Sequence, residues 1–132
     1  MKLDHIGIAV ESIEKAKIFY EEMGLTIRAL EEVPEQKVRV AVFPVGESRI
    51  ELLETLDPEG PVGKFLAKKG QGLHHIAMKV DDIRAAIAKL KEKGVEMIDR
   101  EPRRGAEGCL IAFVHPRSTG GVLLELTEKK DE

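Results

Sequence analysis

A chain of 132 residues, 42% hydrophobic and 34% charged, is long enough to bury one core and too short for two ordinary domains side by side. Its net charge of −3 and 4% aromatic content provide neither a basic surface nor rings for base stacking, which excludes a nucleic-acid partner. No apolar run approaches the roughly 20 residues of a membrane-spanning helix, so no membrane partner is expected.

The start, Met-Lys-Leu-Asp-His, lacks the hydrophobic segment and small-residue cleavage site of an export signal, and a cytoplasmic protein is expected. It leads into a strand signal at residues 5–10. The period then changes from 2 to 3.6 at Glu11-Ser12, where a capping residue precedes an apolar stripe of Ile13, Ala16, Phe19, Tyr20 and Met23. Gly24 ends that helix, and strand signals follow at 25–30, 38–45 and 49–53. Residues 57–72 are rich in Pro and Gly around a short helix at 64–68 and read as a connector.

The pattern then starts again. Residues 4–27 and 74–97 align without a gap, sharing His5/His75, Ile6/Ile76, Val10/Val80, Ile13/Ile83, Ala16/Ala86, Glu22/Glu92 and Gly24/Gly94. Asp81-Asp82 caps the second helix, whose stripe is Ile83, Ala86, Ile87 and Leu90, and Gly94 ends it. Strands are expected at 95–98, 109–114 and 122–126. Each half therefore reads βαβββ, with module one at about 1–56 and module two at about 73–128 of a single domain. The only cysteine, Cys109, has no disulfide partner, which agrees with a reducing compartment.

Strand parity separates the chemistry from the core. In the first strand Ile6, Ile8 and Val10 share the face that packs on the helix, and His5 lies on the other. His75 has the same parity in the repeat. Glu51 lies between Ile50 and Leu52, and Glu125 between Leu124 and Leu126, so both carboxylates also leave the helix-packed face. Two His and two Glu on the inner face of a curved sheet suit one divalent ion with water completing its sphere. His74 points the other way and reads as structural, as does His115 beside Pro116. Lys64, Lys68, Lys69, Arg103 and Arg104 read as solvated charges or as contacts for an anionic cofactor handle.

These residues resemble the vicinal oxygen chelate superfamily, and within it the methylmalonyl-CoA epimerases. The resemblance rests on LDHIGIAV, the helix end EEMGL, VPEQKVRVAVFPVG, SRIELLETL, GLHHIAMKVDDI and FVHPRSTGGVLLELTE, which cover nearly the whole chain. It implies an α+β fold of two tandem βαβββ modules forming a curved, partly closed mixed sheet. His5, Glu51, His75 and Glu125 are the implied metal ligands, for one divalent ion: Co2+ first, with Ni2+, Mn2+, Zn2+ or Fe2+ as alternatives. Glu35 matches the family's proposed catalytic carboxylate, and Glu125 is implied as the second base. The implied substrate is an acyl-CoA, methylmalonyl-CoA, and the implied assembly a homodimer. Epimerases also carry Gln at the position of Glu51. A glyoxalase I-like lyase and a metal-free binding or resistance protein are the alternative functions on the same scaffold.

Overall fold

The computed structural model describes residues 1–129, which divide into two compact units, His5–His74 on one side and Met1–Asp4 with the chain from His75 onward on the other. The first unit takes β1 (Lys2–Ala9) from His5 on, then α1 (Ile13–Glu22), β2 (Ala29–Val33), β3 (Val38–Val45), β4 (Ser48–Thr55) and α2 (Pro61–Lys69). Its strands lie in the order β2-β3-β4-β1, with β4 returning parallel to β1 and antiparallel to β3. The second unit takes β5 (Gly72–Lys79) from His75 on, then α3 (Ile83–Glu92), β6 (Arg103–Arg104), β7 (Leu110–Val114) and β8 (Leu124–Glu128), in the order β5-β8-β7-β6. Both units thus have the βαβββ order that the repeat predicts.

Each helix begins and ends where its residues allow. Ser12 and Asp82 are extended and accept the N–H of Lys15 and Ala85 with their side chains. A second acceptor, a carboxylate, comes from the last strand of each module. Glu54 accepts the N–H of Ile13, and Glu128 accepts that of Ile83, both at 2.8 Å. These are first-turn N–H groups with no partner inside the helix, at its positive end. At the other end Leu25 N–H bonds back to Tyr20 O and Val95 N–H to Leu90 O. Gly24 and Gly94 supply the positive φ, +104° and +83°, that this closure needs.

The core lies under each helix. In the first unit Val10, Ile13, Ala41, Phe43 and Leu52 are buried together, with Ala16 and Tyr20 half-buried against them. In the second, Ile83 and Ile87 join Val80, Ala112, Val114 and Leu126. Truncating a side chain such as Ile13 or Ile83 costs about 2–5 kcal/mol in a core of this kind.

Three expectations need correction. The strand expected at 25–30 lies later, as β2 at Ala29–Val33, because Leu25 is still closing the helix end on Tyr20 O and the ladder begins only with Ala29 opposite Val42. Phe19 and Met23 are 59% and 60% exposed, not core. Phe19 follows from its place about 100° around the helix from Tyr20, where its ring makes a T-shaped contact with Tyr20, centroids 5.2 Å apart. Met23 is the C-cap residue, past the last turn that the sheet covers. The strand expected at 95–98 is reduced to a single bridge, Met97 to Val114. The paired strand there is β6, two residues long. Phe113 N–H, which a neighbouring strand would take, donates instead to the Asp99 carboxylate at 2.8 Å, and Pro102 has no N–H to offer a ladder.

Glu54→Ala and Glu128→Ala should each lower stability by about 1 kcal/mol. The measurement is the urea midpoint at unchanged slope, and an unshifted midpoint in both would show that these carboxylates do not stabilise the helix starts.

Candidate active site

The register of the parallel ladders sets the site. Gly7 stands opposite Glu51 and Ala77 opposite Glu125, so His5 and His75, two residues earlier, share a face with those carboxylates. In the first unit His5 Nδ1 lies 3.4 Å from Glu51 Oε2, and in the second His75 Nε2 lies 3.2 Å from Glu125 Oε1. All four are 3–5% exposed. Polar groups buried this deeply are retained only with partners, and each unit supplies one nitrogen and one carboxylate oxygen. This is the donor chemistry that divalent first-row ions accept, so the residues present fit a metal of that class.

The pairs differ in their surroundings. Arg49 is buried beside the first, its Nη2 donating to Glu51 Oε2 at 3.2 Å and lying 3.3 Å from His5 Nδ1. In the second unit the His75 ring stands edge-on to Phe113 at 5.7 Å. Phe113 is the cross-strand neighbour of Glu125, and Arg103 lies over its ring. The sequence reading passed over Arg49. Its signal was available: it precedes Glu51 by two residues and so shares its face.

Glu35 is exposed, in a 3-10 turn at Pro34–Gln36 between β2 and β3. That turn joins the ladder where Val38 stands opposite Thr55, whereas Glu51 stands opposite Val42. Four residues of strand, about 13 Å, separate the two places on β3. The turn is braced by the segment after β4. Lys37, in the left-handed region at φ 57°, bonds its N–H to Pro34 O and accepts Leu56 N–H. Its ammonium pairs with Asp57 at 3.5 Å. His74 is set edge-on to Phe65 at 5.0 Å. His115 Nδ1 accepts the N–H of Arg117 at 3.0 Å, closing the turn after β7. The structural reading of both histidines agrees with these contacts.

A sequence model of the glyoxalase/bleomycin resistance protein/dioxygenase superfamily matches residues 4–113. The chain belongs to that superfamily. Among its relatives, this superfamily member is 51% identical to YqjC of Bacillus subtilis, an uncharacterised protein, with 99% of this chain and 94% of that one aligned. It is 39% identical to the human mitochondrial methylmalonyl-CoA epimerase, over 96% of this chain and 73% of the human one. Its structure matches that of a single-residue variant of the Streptomyces coelicolor methylmalonyl-CoA epimerase in complex with 2-nitronate-propionyl-CoA, with a TM-score of 0.95 and 39% identity, covering 98% of this chain and 94% of that one. Among the described residues, no helix is long and apolar enough to cross a membrane.

The brace behind Glu35 has a titration signature. The Glu59 N–H and then the Lys37 ammonium hold the Asp57 carboxyl below its ordinary 3.8. A lowered value means that this brace is complete above 3.8 and is lost as the pH falls through the lower, folded value. The Glu59 amide, which donates to Asp57 at 2.9 Å, should follow that titration by NMR with a midpoint below 3.8. A midpoint at or above it would show that the brace does not form in solution.

Proposed function

We propose that the chain is a methylmalonyl-CoA epimerase, interconverting the R and S forms by removing and returning the proton on the carbon between carboxylate and thioester. The observation that carries this reading is the buried His–Glu pair, repeated at one register in both modules. Similarity to named epimerases across at least 96% of the chain supports it.

In this reading His5, Glu51, His75 and Glu125 hold one divalent ion, with Co2+ the first candidate. The ion would supply Lewis acidity at the two substrate oxygens that flank the reacting carbon. Glu51, and Glu125 when it is ionised, offset its charge while two neutral imidazoles add none. Glu51 and Glu125 sit on strands paired on both sides within their own unit, β4 between β1 and β3 and β8 between β5 and β7, which holds these carboxylates rigidly. Inversion needs a proton acceptor on one face of the carbon and a donor on the other. Glu35 is the first, taking the proton on its carboxylate; Glu125 is the second, starting the turnover protonated, giving that proton to the opposite face and ending as a carboxylate, with the two states exchanged for the reverse direction. Each carboxylate is far less basic than the carbanion it serves, so the proton leaves only because charge on the enolate oxygens is stabilised.

Incubation of the metal-loaded protein with methylmalonyl-CoA in heavy water should place deuterium on the α-carbon. Glu35→Gln should slow that by about 100-fold or more with metal content unchanged. Added Co2+ should raise the melting point, by the equivalent of about 2.7 kcal/mol at a hundredfold excess over its Kd, and a chelator should reverse this. Consumption of methylglyoxal with glutathione, and no label in the thioester, would replace this reading with a lyase. A protein that binds no divalent ion would remove both.

A further inference from the structure

Glu35 is exposed, and among the described residues its side chain makes no hydrogen bond or ion pair. Its placing therefore comes from the backbone of its turn. That turn ends on Lys37, whose φ of 57° and ψ of 40° lie in the left-handed region, where a side chain crowds the backbone and glycine is the usual residue. The second module makes the usual choice. Counted from the residue opposite the site glutamate, Val42 for Glu51 and Phe113 for Glu125, Lys37 and Gly108 each lie five residues earlier, and Gly108 has a φ of 73°. Lysine is the less favourable residue for this backbone, so the reason for it lies in its side chain.

That side chain is held at both ends. Its stem lies across Gly60, where a methyl group would come within 3.0 Å of Lys37 Cβ and 3.3 Å of its Cδ. Its ammonium faces Asp57 Oδ2 at 3.5 Å. Asp57 is itself fixed: Oδ1 accepts the Glu59 N–H at 2.9 Å, and its own N–H donates to Thr55 Oγ1 at 3.1 Å. Its carbonyl accepts the Thr55 hydroxyl at 2.6 Å and the Gly60 N–H at 2.8 Å. An ion pair as open as Lys37–Asp57, 53% and 40% exposed, adds little to stability. What it adds is a second point of attachment, beside the Leu56 N–H that Lys37 O accepts.

We propose that Lys37 is a positioning residue for Glu35, its side chain anchored between Gly60 and Asp57 so that the turn presents the Glu35 carboxylate in one direction. Lys37 closes the turn through its N–H on Pro34 O, so a rotation at Lys37 reaches Glu35 through planar peptide units. Proton transfer feels such a shift, because the base must lie within hydrogen-bond reach of the proton it takes.

This rests on reading Glu35 as the proton acceptor, and the test separates the two. Exchange of the α-proton with heavy water is measured on the metal-loaded full chain over a range of methylmalonyl-CoA concentrations, with melting temperature and metal content alongside. The proteins are wild type, Glu35→Gln, Lys37→Gly, Lys37→Arg, Asp57→Asn and Lys37→Gly/Asp57→Asn. Glycine suits the left-handed backbone and removes the anchor. Lys37→Gly should lower kcat on the order of tenfold, with KM, metal content and melting temperature close to wild type. Lys37→Arg keeps the charge and the reach to Asp57 and should recover most of that loss. Asp57→Asn breaks the same contact from the other side, and carries the test if the glycine variant fails to fold. The double variant should be no slower than Lys37→Gly, since both changes remove one contact. An unchanged kcat in Lys37→Gly and Asp57→Asn overturns the proposal, as does a loss that follows the melting temperature alone. A raised KM at unchanged kcat also overturns it, making Lys37 a contact for the anionic acyl-CoA. Wild-type exchange that Glu35→Gln leaves intact would remove the role of Glu35 and this proposal with it.

Discussion

The fold depends on a parallel pairing made twice, β4 beside β1 and β8 beside β5, with a helix closing one face of each pair. Parity then leaves no choice. Whatever alternates with Ile8, Val10, Ile50 and Leu52 lies on the face the helix does not cover, and the residues found there are His5, Gly7 and Glu51. A register slip of one residue would move the imidazole into the apolar core and Ile6 onto the site. The hydrophobic face therefore guards the polar one. A side chain mispaired by one step would bury a charge among leucine and isoleucine, at a cost no contact there could offset.

That register also ties the site to the helix ends. Glu54 and Glu128 lie three residues after the paired glutamates, with opposite parity, and reach the first N–H of α1 and α3. One strand thus serves both faces, the core-side glutamate fixing the helix start and the other entering the site. The helix cannot drift along the sheet without breaking that bond. The same packing that buries Ile13 or Ile83 therefore fixes the strand on which the site glutamate sits.

Duplication supplies an internal control. Where the halves agree, in His, Glu, the position of the capping side chain and the helix-ending glycine, the fold explains the agreement. Where they differ, the difference is local. Arg49 lies beside the His–Glu pair of one module, the longer turn after β7 is closed by His115 and Thr119, and Pro102 with Asp99 shortens β6. Glu35 belongs to the unsymmetric set, on a turn that Lys37 and Asp57 hold from behind.

The amino-acid order alone determined the duplication, the βαβββ succession in each half, the helix caps and the facing of His5, Glu51, His75 and Glu125. All follow from periods of 2 and 3.6 and from capping chemistry, which act over a few residues. It did not determine that Phe19 and Met23 are exposed, because an apolar stripe does not state how far the sheet reaches beneath it. Nor could it show that Asp99 takes the amide a strand would have used, since the choice between two acceptors is made by distance across 14 residues of chain. The pairing of Glu54 with Ile13, of Glu128 with Ile83 and of Arg49 with Glu51 needed the tertiary structure for the same reason. Parity names the face, but only the strand register decides which groups on it come within hydrogen-bonding reach.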